Sequence, residues 1–192
     1  FSSRRRHTRC ARWSRGLGDV YKRQLQVARK GSLLTMDFPA IQMEPCHSPP
    51  DILLRGLNLA PQEVGYVEAD PNYYAICETE DEVLSIEPNL RLLEQLHPYG
   101  VVVTAAGKNT DCVSRCFAPS YGIPEDPVTG SIHSALVPYW ARRLDKSHIH
   151  AYQASQRGGE LFCEDKGERV IIGGEAVKYL AGSICFEPTD TA

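Results

Sequence analysis

Long apolar runs are missing from this 192-residue chain. No stretch approaches the roughly 20 apolar residues of a membrane-spanning helix, so no membrane partner is expected. The basic N-terminus is not followed by an apolar h-region, which excludes a secretory-signal reading. The patterns G-x-S-x-G, H-E-x-x-H and G-x-G-x-x-G are absent, removing the commonest hydrolase, zinc and dinucleotide readings. No Gly-Lys-Ser/Thr phosphate loop occurs, no internal repeat is evident, and no segment is low in complexity. The seven cysteines are odd in number and scattered. They suit reduced thiols in a cytoplasmic protein better than a disulfide framework.

What remains is ordinary globular material, with 42% hydrophobic and 23% charged residues. The charge is unevenly placed. Residues 1–24 hold eight of the 21 Lys and Arg and a single acid, leaving 13 basic against 23 acidic residues in 25–192. An acidic body repels nucleic acid, so no nucleic-acid partner is expected. The head, FSSRRRHTRCARWSRGLGDVYKRQ, has no hydrophobic period. Its wording suggests a segment foreign to the rest, or a disordered arm, and it receives no functional role.

From Val27 onward, structural signals become regular. GSLLTMDF (31–38) predicts a strand, and Asp51 is expected to cap a short helix, DILLRGL. GYVEAD and YYAICE around Pro71-Asn72 predict a hairpin. PNLRLLEQLH (88–97) predicts a short amphipathic helix with Leu90, Leu93 and Leu96 on one face. VVVTAA (101–106) predicts a buried strand, and CVSRCFAP (112–119) another. HIHAYQAS, GELFCED, ERVIIGG and AVKYLAGSICFE predict four more, giving a meander interrupted by one long helix. Cys112 and Cys116 share one strand face and read as core cysteines rather than zinc ligands. His148 and His150 read as solvent-facing.

The long helix lies in EDPVTGSIHSALVPYWARRL (125–144). Its residues are apolar nearly all round until Arg142-Arg143, so it should be buried on most faces, as inside a wrapping sheet. Pro138 should bend or weaken it. Two readings of its start stand side by side. Thr129 or Ser131 caps the helix while Asp126 merely favours the dipole. Alternatively, the free N–H groups of the Gly130–Ser131 turn cradle a carboxylate or phosphate. Pro127 then biases Asp126 toward an extended conformation at the rim of that cradle, poised for proton transfer.

SRCFAPSYGIPEDPVTGSIHSALVPYWARRL, followed by AYQASQRGGEL and ERVIIGGEAVKYLAG, resembles the PhzF family of phenazine-biosynthesis-like isomerases from about residue 30 to 186. The resemblance implies an α+β, diaminopimelate-epimerase-like fold, in which each of two halves wraps an antiparallel sheet around a central helix. It implies that Asp126 assists proton movement and that Gly130 and Ser131 bind substrate carboxylate. Thr129 and His133 become candidates for lining the cleft, and neither metal nor redox cofactor is expected. It also implies a small-molecule carboxylate substrate, and a homodimer is common in the family. The family's Ser-Glu-Thr motif, with its acid/base glutamate, and its Cys-Gly-His motif are both missing. The expected organisation is therefore a foreign head (1–24), a remnant of the first half (25–45) and the C-terminal half (46–192). As written, the chain is expected to lack turnover. The alternative reading is a catalytically silent ligand-binding or interaction protein on the same scaffold.

Overall fold

The computed structural model describes residues 26–183; the basic head and its expected disorder lie outside them. Strands β1 (Gln26–Lys30), β2 (Leu33–Pro39) and β3 (Glu44–Pro45) come first. Helix α1 (Asp51–Leu57), strands β4 (Glu63–Val67) and β5 (Asn72–Ile76), and helices α2 (Glu80–Ser85) and α3 (Leu90–Leu93) follow. Then come β6 (Gly100–Ala106), β7 (Cys112–Phe117), α4 (Gly130–Leu144), β8 (His148–Gln153), β9 (Gly159–Asp165) and β10 (Arg169–Glu175). Short 3-10 turns occupy Glu94–Leu96 and Pro119–Tyr121.

All ten strands form one sheet in the order β1-β2-β10-β9-β8-β7-β6-β5-β4-β3. The expected meander is corrected at two places. β5 pairs with β6, and β7 with β8, in parallel. Parallel neighbours need a crossover. Helices α2 and α3 supply the first and α4 the second.

Helix α4 lies against one face of this sheet and is buried from Ile132 to Pro138 and again at Trp140 and Ala141. It packs with Val102, Cys112, Cys116, Ile149, Leu161, Val170 and Ile172. The other face carries a second core, which α1, α2 and α3 cover with Leu53, Leu57, Val83 and Leu93. Strand β6 is sandwiched between the two, with Val102 facing α4 and Val101, Val103 and Ala105 facing away. A strand buried on both faces reads as an unbroken apolar run.

Pro138 lacks the N–H that would bond the Ser134 carbonyl. The N–H of Ile41 donates to that carbonyl instead, at 3.0 Å. The break in α4 is thus closed by the chain leaving β2. Trp140 Nε1 donates to Thr104 Oγ1 at 3.0 Å, and Thr104 donates onward to the Val113 carbonyl at 2.7 Å. The α4 face of β6 is polar only where the helix supplies a donor.

Two local expectations differ, and helix α2 is an element that no sequence pattern above predicts. Asp51 is the first helical residue of α1, and the cap position is Pro50, with no side-chain bond. Helix α2 carries a full capping box, in which Thr79 accepts from the Glu82 N–H and Glu82 reaches back. Residues 176–183 of the last expected strand are not in strand conformation, and the remainder lies outside the described residues. Both edges of β10 are already taken, by β2 and β9. Val177, Tyr179 and Leu180 are consequently exposed at 94%, 100% and 82%. Among the described residues, no helix is long and apolar enough to cross a membrane.

Candidate functional site

The acidic pair before α4 divides its work. Glu125 is bound by Arg115 through two contacts, at 2.7 and 3.2 Å. Arg115 also donates to the carbonyl of Ile86 at 2.7 Å, so Glu125 belongs to the packing between β7 and α2. Asp126 is left for the other side. Its N–H donates to the Cys116 carbonyl at 2.9 Å, and its carboxylate accepts the hydroxyl of Thr129.

Thr129 occupies the cap position of α4, but its side chain makes no capping bond. The simple cap reading therefore fails at Thr129, whose hydroxyl is turned toward Asp126. The first N–H groups of α4 have no partner within the helix, and the dipole leaves that end positive. Asp126, Thr129, Gly130 and Ser131 are all half-buried. This arrangement sets a fixed carboxylate beside a positive turn open to solvent.

Gly130 has no positive φ. A Cβ there would meet Phe38 and Met36 at 3.5 and 3.6 Å, which is ordinary contact. Neither backbone conformation nor packing requires glycine here. The missing side chain leaves room for something outside the protein. Gly130 borders a hollow of about 810 Å³ beside β2, β9 and β10, lined also by Met36, Arg157, Gly158 and Phe162. Arg157 brings a cation to the edge of that hollow. Asp126 and Ser131 are not among the residues lining it.

Gln153 holds the loop. It is fully buried. Its Oε1 accepts from the Thr129 N–H at 2.8 Å, and its Nε2 donates to the Asp126 carbonyl at 2.8 Å and to Thr129 Oγ1 at 3.1 Å. Ser155 adds a bond to the Pro127 carbonyl at 2.7 Å and accepts from the Gly158 N–H at 3.0 Å. The sequence pattern alone does not mark Gln153, Ser155 and Arg157 as site residues. The signal for them is the AYQASQRGG stretch, which becomes meaningful once β8 lies beside β7.

His133 is placed beneath the first turn rather than on its surface. It is fully buried, and its Nδ1 donates to the Thr129 carbonyl at 2.7 Å. Its Nε2 has no partner, and burial pushes its pKa down to about 4. As a cleft-lining candidate it is corrected: it supports the turn from inside. Cys116 lies near Thr129, and burial drives its thiol up to about 12. It stays protonated and offers no thiolate base. Cys112 is also a core thiol, 1% exposed. Of the two strand histidines, His148 is exposed, whereas His150 is partly covered and stacks on Phe162 with ring centroids 4.8 Å apart.

Comparison with known proteins gives a consistent result. The family model described as phenazine biosynthesis-like protein, PhzC-PhzF, matches residues 16–182, beginning within the basic head. An uncharacterized isomerase of Pseudomonas aeruginosa is 44% identical over 161 residues, covering 84% of this chain and 61% of the relative. A second from the same organism is 43% identical over 160 residues, covering 83% and 60%. The crystal structure of a PhzF-family phenazine biosynthesis protein from Enterococcus faecalis superposes with a TM-score of 0.75 at 38% identity, covering 81% of this chain and 59% of that one. The chain thus spans about three fifths of the length of these curated relatives.

Proposed function

The chain belongs to the PhzC-PhzF family of phenazine biosynthesis-like proteins, and two of its curated relatives are named isomerases; from that premise we propose that it carries half of a site for cofactor-independent proton transfer on a small carboxylate substrate. The Gly130–Ser131 turn holds the substrate carboxylate by its backbone N–H groups. Asp126 moves a proton at a nearby carbon, giving double-bond isomerisation. A second acid/base group comes from outside the described residues.

One observation carries this reading: Asp126 is fixed by Thr129 and by the Gln153-held loop beside the first-turn N–H groups of a 15-residue helix. A preorganised carboxylate next to an anion cradle is what proton abstraction beside a carboxylate requires. Arg157 at the edge of the hollow adds to the anion's preference for this end of the molecule.

The test separates binding from turnover. Titrating this chain with benzoate should shift the amide NMR signals of Gly130 and Ser131. Gly130→Val should weaken that binding about tenfold or more, because a branched side chain enters the anion's space. Asp126→Asn should retain most of the affinity. With both acid/base groups present, it should lower solvent-deuterium incorporation into substrate by roughly 10²-fold or more. Unchanged affinity and unchanged exchange in both variants would end the assignment.

A further inference from the structure

The helices and strands of this fold use glycine mostly where a neighbour needs the space. Gly56, Gly65, Gly100, Gly159 and Gly173 each have an atom between 2.3 and 3.0 Å from where a Cβ would stand. Gly130 and Gly174 do not. A Cβ at Gly174 would meet nothing nearer than the Glu160 carbonyl oxygen, at 3.9 Å, and neither residue has a positive φ. Among the described helices and strands, these two glycines alone have no internal reason to lack a side chain. Both border the same hollow of about 810 Å³.

Strand register places the two on one face of the sheet. Gly174 lies opposite Leu34, and Ile172 opposite Met36. Ile172 packs in the α4 core, and side chains alternate along a strand, so the bare Cα of Gly174 faces the α4 side as well. Gly130 sits over Phe38 and Met36, 3.5 and 3.6 Å from where its Cβ would be. From Met36 to Leu34 is about 7 Å of strand. Beyond the start of α4 this face is uncovered: Val27 is 64% exposed and Leu34 41%. The pairing of β9 with β10 also stops here, at Phe162 opposite Gly173, although β9 begins at Gly159 and β10 runs to Glu175. The charged residues bordering the hollow are Arg157, Glu160 and Glu175. Two acids against one cation disfavour a second anionic group on whatever lies there.

We propose that Gly174 is a specificity-determining residue: the carboxylate held at the Gly130–Ser131 turn carries an uncharged apolar body longer than about 7 Å, which lies along the bare sheet face, and the missing side chain at position 174 leaves room for it. The proposal rests on the anion-site reading above and names the kind of molecule that site takes. The body covers Val27, Leu34 and Met36, and its contribution to affinity grows with the apolar area removed from water. Gly174 takes no part in moving a proton, so its role is separate from that of Asp126.

Titration of the whole chain with benzoate and with biphenyl-4-carboxylate, followed by amide NMR signals, tests this. Benzoate ends near Met36, whereas the second ring of the rigid biphenyl reaches Leu34 and Gly174. The unsubstituted chain should bind the biphenyl about tenfold or more tightly than benzoate. Gly174→Val should reduce that preference by about tenfold, with no fall in the urea midpoint, because valine suits a strand and has space there. Gly130→Val should weaken biphenyl binding as well, since one molecule spans both glycines. A biphenyl bound no more tightly than benzoate, or a preference that Gly174→Val leaves unchanged, overturns the proposal and leaves the anion site standing. Undiminished biphenyl binding by Gly130→Val marks a separate apolar site and overturns it too. Binding of neither probe by the unsubstituted chain overturns the anion site and the proposal together. If near-ultraviolet circular dichroism shows that Gly174→Val does not fold, Gly174→Ala decides alone, and an unchanged preference there overturns the proposal.

Discussion

Gln153 grips Thr129 from two sides, accepting its N–H at 2.8 Å and donating to its hydroxyl at 3.1 Å. The hydroxyl in turn donates to Asp126. The three side chains form one polarised chain of hydrogen bonds that ends on the carboxylate. In such a chain each donor strengthens the next. The geometry also fixes the Gln153 amide: the oxygen must face the Thr129 N–H, so the nitrogen faces the Asp126 carbonyl.

Gln153→Leu should therefore cost about 2–4 kcal/mol, because it orphans two backbone groups at roughly 1–3 kcal/mol each. Gln153→Glu should cost less stability, since it still accepts from Thr129. With both acid/base groups present, it should harm turnover at least as much, because it loses both donors and sets a second charge beside Asp126. Urea denaturation and exchange kinetics on the folded fraction check both. Equal losses of activity and stability across the two variants would reduce Gln153 to a packing residue.

The thiols make a separate forecast. Cys77, Cys112, Cys116 and Cys163 are buried, whereas Cys46 is only half-buried. Burial pushes Cys77, Cys116 and Cys163 up to about 12 and raises Cys112 as well. A thiol with a pKa near 12 is ionised in only about one part in 10⁴ at pH 8. Iodoacetamide should therefore alkylate Cys46 long before these four, which should react together on unfolding. Peptide mapping by mass spectrometry reads the order. Early labelling of Cys116 would contradict a protonated thiol beside Thr129.

Much of this arrangement is legible in the sequence, for identifiable reasons. Helix α4 announces itself because Ile132 to Ala141 are apolar nearly all round and Gly130 marks the start. Strand β6 is legible because it is buried on both faces. The split of the acidic pair is not, since it depends on Arg115 reaching Glu125 across a fold-specific gap. Gln153 is hidden for the same reason: its partners lie 24 and 27 residues away and meet it only after β8 docks in parallel on β7. Asp70 reads as an ordinary turn aspartate, and its burial is a tertiary outcome. The parallel pairs escape notice because local alternation carries no information about strand direction.

The bond between Trp140 and Thr104 predicts a coupling. Both residues are buried, at 2% and 0% exposure. Thr104→Val removes the acceptor and strands the indole N–H, which should cost about 1–3 kcal/mol. Trp140→Phe costs packing as well as the bond. In the double variant no donor is left stranded, so the two losses should fall short of additivity by about 1 kcal/mol. Chemical denaturation of the four proteins gives the cycle, and strict additivity would show that the indole finds another partner.

His133 gives the pH dependence a sign. Its folded pKa is pushed down from 6.5 to about 4 by burial. The unfolded chain therefore binds a proton between those values while the folded chain does not. Its contribution is fully present above about pH 6.5 and is lost as pH falls toward 4. At about 1.4 kcal/mol per pH unit, the loss reaches roughly 3 kcal/mol. Asp70 works in the opposite sense. Its pKa is raised, so its contribution is present at low pH and fades as pH rises through the folded value. The two are separated by comparing the parent with His133→Gln, whose amide can still donate toward the Thr129 carbonyl. Stability of the parent should fall between about pH 6.5 and 4.5, and that of His133→Gln should be flatter by most of this amount. Urea midpoints at half-unit intervals measure it. Parallel profiles would mean that His133 protonates inside the fold, and that its bare Nε2 reaches a partner there.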